Sequence, residues 1–123
     1  MKLHQDNPSA LHLIRSYADD HILINEHRME TAFIVSATQL IRDWTQASLI
    51  ECTEIDWQPI LALRPEILIL GTGTKLRHPD PRQLDVFYRN RIGVEVMDTG
   101  AACRTYNVLL AEDRNVVAAI WFG

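Results

Sequence analysis

Two short runs hold the residue types best placed for chemistry: Gly71, Thr72, Gly73, Thr74 and Lys75, and Asp98, Thr99, Gly100, Ala101, Ala102, Cys103 and Arg104. Paired glycines let backbone N–H groups come close to an anion, and Lys75 or Arg77 would add positive charge. The pattern is a partial one. A dinucleotide fingerprint requires a third glycine where Leu76 stands, and a phosphate loop requires four residues between its glycines. Pro79 and Pro81 also delay the helix whose amino end would hold a phosphate. A tight turn and an anion site both remain open.

The second run offers a carboxylate, a thiol and a guanidinium. Asp98 stands where a helix would begin, so its side chain can accept the unpaired N–H groups of the first turn. An aspartic-protease reading of Asp-Thr-Gly fails, since that chemistry needs two carboxylates sharing one proton. Cys103 beside Arg104 is either a thiolate nucleophile or a buried apolar thiol. The nucleophilic reading also needs a base, for which His78 is the nearest candidate. Glu95, between Val94 and Val96, either pairs with Arg104 or Arg91 or lines a pocket. The histidines at 4, 12, 21, 27 and 78 have no metal-ligand spacing.

The elements that must position these residues follow from hydrophobic period. Residues 66–70 are a continuous apolar run closed by Gly71, the pattern of a strand covered on both faces. Pro81 opens a helix over 81–91 with Leu84, Phe87 and Tyr88 on one stripe, and 93–97 form the next strand. Ala102, Tyr106, Leu109 and Leu110 predict a helix over 99–111, after which residues 115–122 close the chain as a buried strand. Upstream, residues 11–17 and 21–25 read as a hairpin turning at Ala18, Asp19 and Asp20, and 29–36 as a third strand. Thr53 or Asp56 caps a helix with Pro59 in its first turn, and Pro65 ends it. The stretch 37–51 fits either an irregular segment or a strand.

The 123 residues, 47% hydrophobic and 23% charged, suit one α/β domain over 11–123 behind a polar leader, 1–10. The amino terminus lacks a signal-peptide pattern, no run approaches a membrane span, and two isolated cysteines suit a reducing, cytoplasmic setting. Formal charge is −4, yet residues 75–91 hold five cations, Lys75, Arg77, Arg82, Arg89 and Arg91, against Asp80 and Asp85. That segment is a solvated face or a mark of an acidic partner. Few aromatics accompany it, which argues against nucleic acid. The apolar end, residues 116–123, is either a central strand or a surface that reaches a partner.

The segments PEILILGTGTK and GVEVMDTGAACRTYNVLLAEDRNVVAAI, with Trp44, resemble the Mth938-like (DUF498) family, which includes a mitochondrial respiratory complex I assembly factor. The resemblance implies a three-layer α/β fold: a central mixed sheet, helices and an added hairpin layer. It implies no established catalytic residues and no cofactor. The family's recurring positions correspond to Gly71, Thr72, Gly73, Glu95, Met97, Asp98, Thr99, Ala102, Cys103, Thr105, Tyr106 and Asn107, candidates for a shared surface. The chain shows no mitochondrial transit pattern. The expected function is a non-enzymatic protein-binding or assembly-assisting module; the alternative is a small-molecule or anion binder, with an enzyme still open, built on the 71–75 loop with Asp98, Cys103 and Arg104.

Overall fold

The computed structural model describes residues 11–123; the leader expected at 1–10 lies outside the described residues. Three consecutive segments of the tail half form the spine. Strands β6 (Ile67–Thr72), β7 (Gly93–Met97) and β8 (Val116–Trp121) are mutually parallel, with β6 between the other two. Strand β4 (Phe33–Val35) adds antiparallel to β8, and the two-residue β5 (Leu40–Ile41) completes the sheet, in the order β5-β4-β8-β6-β7.

Alternation along these strands divides the core in two. Phe33, Val35, Ile69, Val116, Ala118 and Ile120 face one side, while Ile34, Leu68, Leu70, Val117, Ala119 and Trp121 face the other. Both faces are covered, which is why the strands read as unbroken apolar runs. Each large side chain so buried contributes about 1.5–3 kcal/mol relative to exposure. Helix α3 (Thr99–Ala111) covers the first face together with a separate antiparallel sheet of β1 (Ile14–Tyr17), β2 (Ile22–Ile24) and β3 (His27–Met29). Helices α1 (Glu54–Ala62) and α2 (Asp85–Arg89) cover the second. From β6 the chain steps to β7 through α2 and back past β6 to β8 through α3. Opposite steps with crossovers of one hand put the two helices on opposite faces.

Four expectations change. Of the strand expected at 29–36, Met29 ends β3 of the hairpin sheet and only Phe33–Val35 form a strand, β4 of the central sheet, the two parted by a bend at Thr31. The helix expected over 81–91 begins as a 3-10 turn at Pro81–Leu84, so α2 has five residues. That break rotates Tyr88 to solvent and buries Val86 with Leu84 and Phe87 instead. Pro59 lies in the second turn of α1, not the first, because Thr53 is the N-cap and Asp56 accepts its backbone N–H at 2.9 Å. The missing proline donor falls near Ile55, on an exposed side of the helix.

The stretch 37–51 resolves into β5, a connecting loop and a 3-10 turn at Leu49–Glu51. Side chains hold it. Trp44 Nε1 donates to Asp56 O at 2.7 Å, Thr45 Oγ1 to Asp56 Oδ1 at 2.6 Å, and Trp121 Nε1 to Ala47 O at 3.0 Å. Trp44, Trp57, Trp121 and Phe87 form one tilted and edge-to-face aromatic group, the geometry ring quadrupoles favour.

Candidate functional site

In open α/β sheets the place for a site is the crevice beyond the carboxyl ends of the strands, where strand order reverses. Here that place lies beyond β6, between β7 and β8. The 71–75 loop leaves β6 there, Asp98 and Thr99 lead β7 into α3 there, and β8 ends there at Trp121. The two chemical runs therefore meet. A cleft of about 260 Å³ is lined by Gly73, Thr74, Asp98, Thr99 and Gly100, with Tyr17 at the end of β1, Asp19 from the β1–β2 turn and Phe122 from beyond β8.

Thr99 ties the parts together. Its Oγ1 accepts the Gly73 N–H at 2.8 Å and donates to Trp121 O at 2.8 Å, while its own N–H donates to Gly73 O at 2.8 Å. Asp98 caps α3 by accepting the Ala101 N–H at 2.9 Å. The two glycines serve different ends. Gly73 has φ +102, a left-handed conformation that side chains resist. Gly71 stays extended inside β6; a Cβ there would lie 2.7 Å from Ile120 Cδ1 and 3.0 Å from Ala102 Cβ. Its role is to let α3 lie close on the sheet.

This arrangement is poorly suited to an anion. The Gly73 N–H is occupied by Thr99, the positive end of α3 already holds the Asp98 carboxylate, and Asp19 adds a second one to the lining. Thr72 Oγ1 is also committed, donating to Lys75 O at 2.7 Å and accepting Arg77 N–H at 3.1 Å. That pair folds the 72–77 turn and leaves the Lys75 and Arg77 side chains exposed.

The rest of the second run is structural. Cys103 is 1% exposed, and burial pushes its thiol up to about 12 against the opposing pull of Arg104. At neutral pH it is a protonated apolar group, which removes the lowered-pKa reading. Iodoacetamide is expected to leave Cys103 unmodified in the native protein at pH 7 and to modify it in urea; mass spectrometry checks both. Arg104 Nη1 donates to Tyr17 Oη at 2.6 Å, fixing the hairpin tip over the start of α3, where the Tyr17 ring packs on Gly100. Tyr106 donates to His12 O at 2.7 Å, and burial pushes its phenol up. Asn107 makes two bonds with the backbone of Ile14, Nδ2 to O at 2.8 Å and Oδ1 from N at 3.1 Å, as a strand partner would. Glu95 is exposed on the edge strand β7 and makes none of the ion pairs found among the described residues.

A second cleft, about 270 Å³, lies on the other side of Trp121, Phe122 and Gly123, walled by Ser48, Leu49, Ile50, Thr72 and Arg77. Sequence reasoning did not join Tyr17, Asp19, Ile50 or Phe122 to the site, because their neighbours there lie tens of residues away. Only the turn composition at 18–20 gave a signal, and it located a turn without saying what the turn faces. Among the described residues no group of three metal-ligating side chains occurs, and no helix is long and apolar enough to cross a membrane.

Fold and site together define a class: three-layer mixed α/β domains in which a hairpin sheet and one helix share a face of the central sheet and the strand ends open into shallow clefts. The chain belongs to the family described as "Protein of unknown function (DUF498/DUF598)", whose model matches residues 14–121. A solved structure from Bordetella pertussis, titled a Mth938-like domain, superposes with a TM-score of 0.80 at 30% identity, covering 98% of this chain and 92% of that one. A Francisella tularensis protein named "13 kDa major membrane protein" is 29% identical over 98% of both chains. The Xenopus tropicalis NADH dehydrogenase (ubiquinone) 1 alpha subcomplex assembly factor 3 is 29% identical over 97% of this chain, which spans 65% of that protein's length.

Proposed function

We propose that residues 11–123 act as one non-enzymatic, protein-binding module that assists the assembly of a larger complex, docking through the face at the carboxyl ends of β6 and β8. The observation that carries this reading is the pair of clefts flanking Trp121 and Phe122, into which the hairpin tip, the 72–77 turn and the start of α3 all project. At about 260 and 270 Å³ each lies below the roughly 300–1,000 Å³ of small-molecule sites, a size that suits one or two side chains of a partner. Kinship with a protein named as an assembly factor supports the same reading. The reading takes the work to be done in the reducing cytoplasm, the setting that suits the free, buried thiols of Cys52 and Cys103.

Photo-crosslinking in cells tests it, with a benzophenone amino acid placed at Thr74 or Ile50 and, as control, at Asp113 near the opposite strand ends. One protein crosslinked from the first two positions and not from the third, whose native complex is depleted when this chain is deleted, is the expected result. Crosslinks equally frequent from Asp113, or an undiminished complex in the deletion strain, would overturn it.

A further inference from the structure

Resting on the protein-binding reading, we propose that the cleft between the 48–50 turn and the 72–77 turn receives a partner segment bearing an apolar side chain with a carboxylate beside it. The lining is largely apolar. Leu49, Trp121 and Phe122 give the cleft an apolar wall, and at its edge Ile50 is 67% exposed, a large aliphatic group left in water. Leu76, 51% exposed, adds a second on the neighbouring turn. Exposed apolar surface around a concavity is characteristic of a contact site.

The positive charge comes from Arg77, which lines the cleft, and Lys75, exposed on the same turn. Among the described residues the ion pairs involve His21, Arg28, Arg82 and Arg114; neither Arg77 nor Lys75 takes part. Both stand on a turn whose backbone is closed from within by Thr72 Oγ1, so the turn that carries them forms without a partner. Cations carried on a preformed turn beside an apolar pocket favour a segment carrying both features.

Charge also decides between a peptide and a lipid surface. The chain carries a formal −4, so outside the basic segment its body is acidic and would be repelled by an anionic bilayer. Arg77 in the cleft wall, with Lys75 on the same turn, matches a carboxylate on a protruding segment.

The test uses three short peptides in which leucine is flanked by glutamate, by lysine or by serine, titrated into the labelled full chain by NMR. The glutamate peptide is expected to shift the amides of Ile50, Thr72 and Arg77, with affinity at least fivefold above the other two and falling as salt rises. Arg77→Glu and Lys75→Glu, whose side chains make no internal contact on which the fold depends, should each weaken it several-fold with an unchanged melting temperature. Equal shifts from all three peptides, or none, would overturn the proposal. So would binding to phosphatidylglycerol vesicles that is lost in Arg77→Glu, which reassigns the site to lipid, or self-association lost in the same variant, which reassigns it to a second copy. If Arg77→Glu leaves the cellular crosslink from Ile50 intact, the docking reading stands and this inference falls; absence of crosslinks from both Thr74 and Ile50 in the parent protein removes the docking reading itself.

Discussion

Replacing Gly71 by alanine is expected to destabilise the protein by about 1–3 kcal/mol, with valine costing more, as overpacking of a filled core does. The added Cβ would stand 2.7 Å from Ile120 Cδ1, 3.0 Å from Ala102 Cβ and 3.2 Å from Thr99 Oγ1. The first contact is the end of a flexible side chain and can yield. The second is fixed to the backbone of α3, so relief requires the helix itself to move off the sheet. Ile120→Val removes the tighter contact and should recover part of the loss in the double variant, giving a coupling that urea titration of all four proteins can measure. Gly93→Ala is the control: its Cβ would meet only Glu66 O at 3.7 Å, so the change should stay within about 0.5 kcal/mol. A neutral Gly71→Ala would show that close helix packing is not what the glycine serves.

That prediction marks where sequence reading reached its limit. Gly71 and Gly73 stand two residues apart in one motif, yet one is needed for a helix lying against it and the other for a positive φ. Period and composition sufficed for the spine: the apolar runs of β6 and β8 and the stripe Ala102, Tyr106 and Leu110 on α3 are local signals of burial, and they located the elements correctly. So did the cap at Asp98, since a carboxylate at a strand-to-helix junction has one dominant local use. What was not legible is membership. The run 29–36 reads as one strand on the strength of Phe33, Ile34 and Val35, but Met29 ends β3, which pairs with β2, while β4 pairs with β8, a partner far along the chain.

The same distinction governs the polar side chains. Tyr106 and Asn107 look like candidates for a surface because nothing nearby in sequence uses them. Their partners are the backbones of His12 and Ile14, more than ninety residues away, and their bonds fasten the hairpin layer to α3. Through Tyr17, Arg104 does the same at the hairpin tip. Much of what reads as a possible binding surface is therefore the seam between the hairpin sheet and α3. The face proposed for docking lies beside that seam, at the strand ends, where the hairpin tip closes one side of the first cleft.

Thr99→Val tests most directly how the start of α3, the turn after β6 and the end of β8 are joined at that face. The two side chains have nearly the same shape, so the substitution removes a hydroxyl and little else. With it goes the acceptor of the Gly73 N–H and the donor to Trp121 O, both in a buried setting, Thr99 being 7% exposed. An unsatisfied buried polar group costs about 1–3 kcal/mol, so a loss of about 2–4 kcal/mol is expected from the two together. Thr99→Ser keeps both bonds and should lose about 1 kcal/mol at most, chiefly the burial of one methyl. Hydrogen exchange locates the effect: the Gly73 amide should be protected in the parent and in the serine variant and exchange faster in the valine variant by more than the global loss explains. The opened turn should also cut crosslinking from Thr74 while Ile50, held by its own turn at Leu49–Glu51, is affected less. Equal stability of Thr99→Val and the parent would mean that the three chain segments meet without needing this hydroxyl to join them.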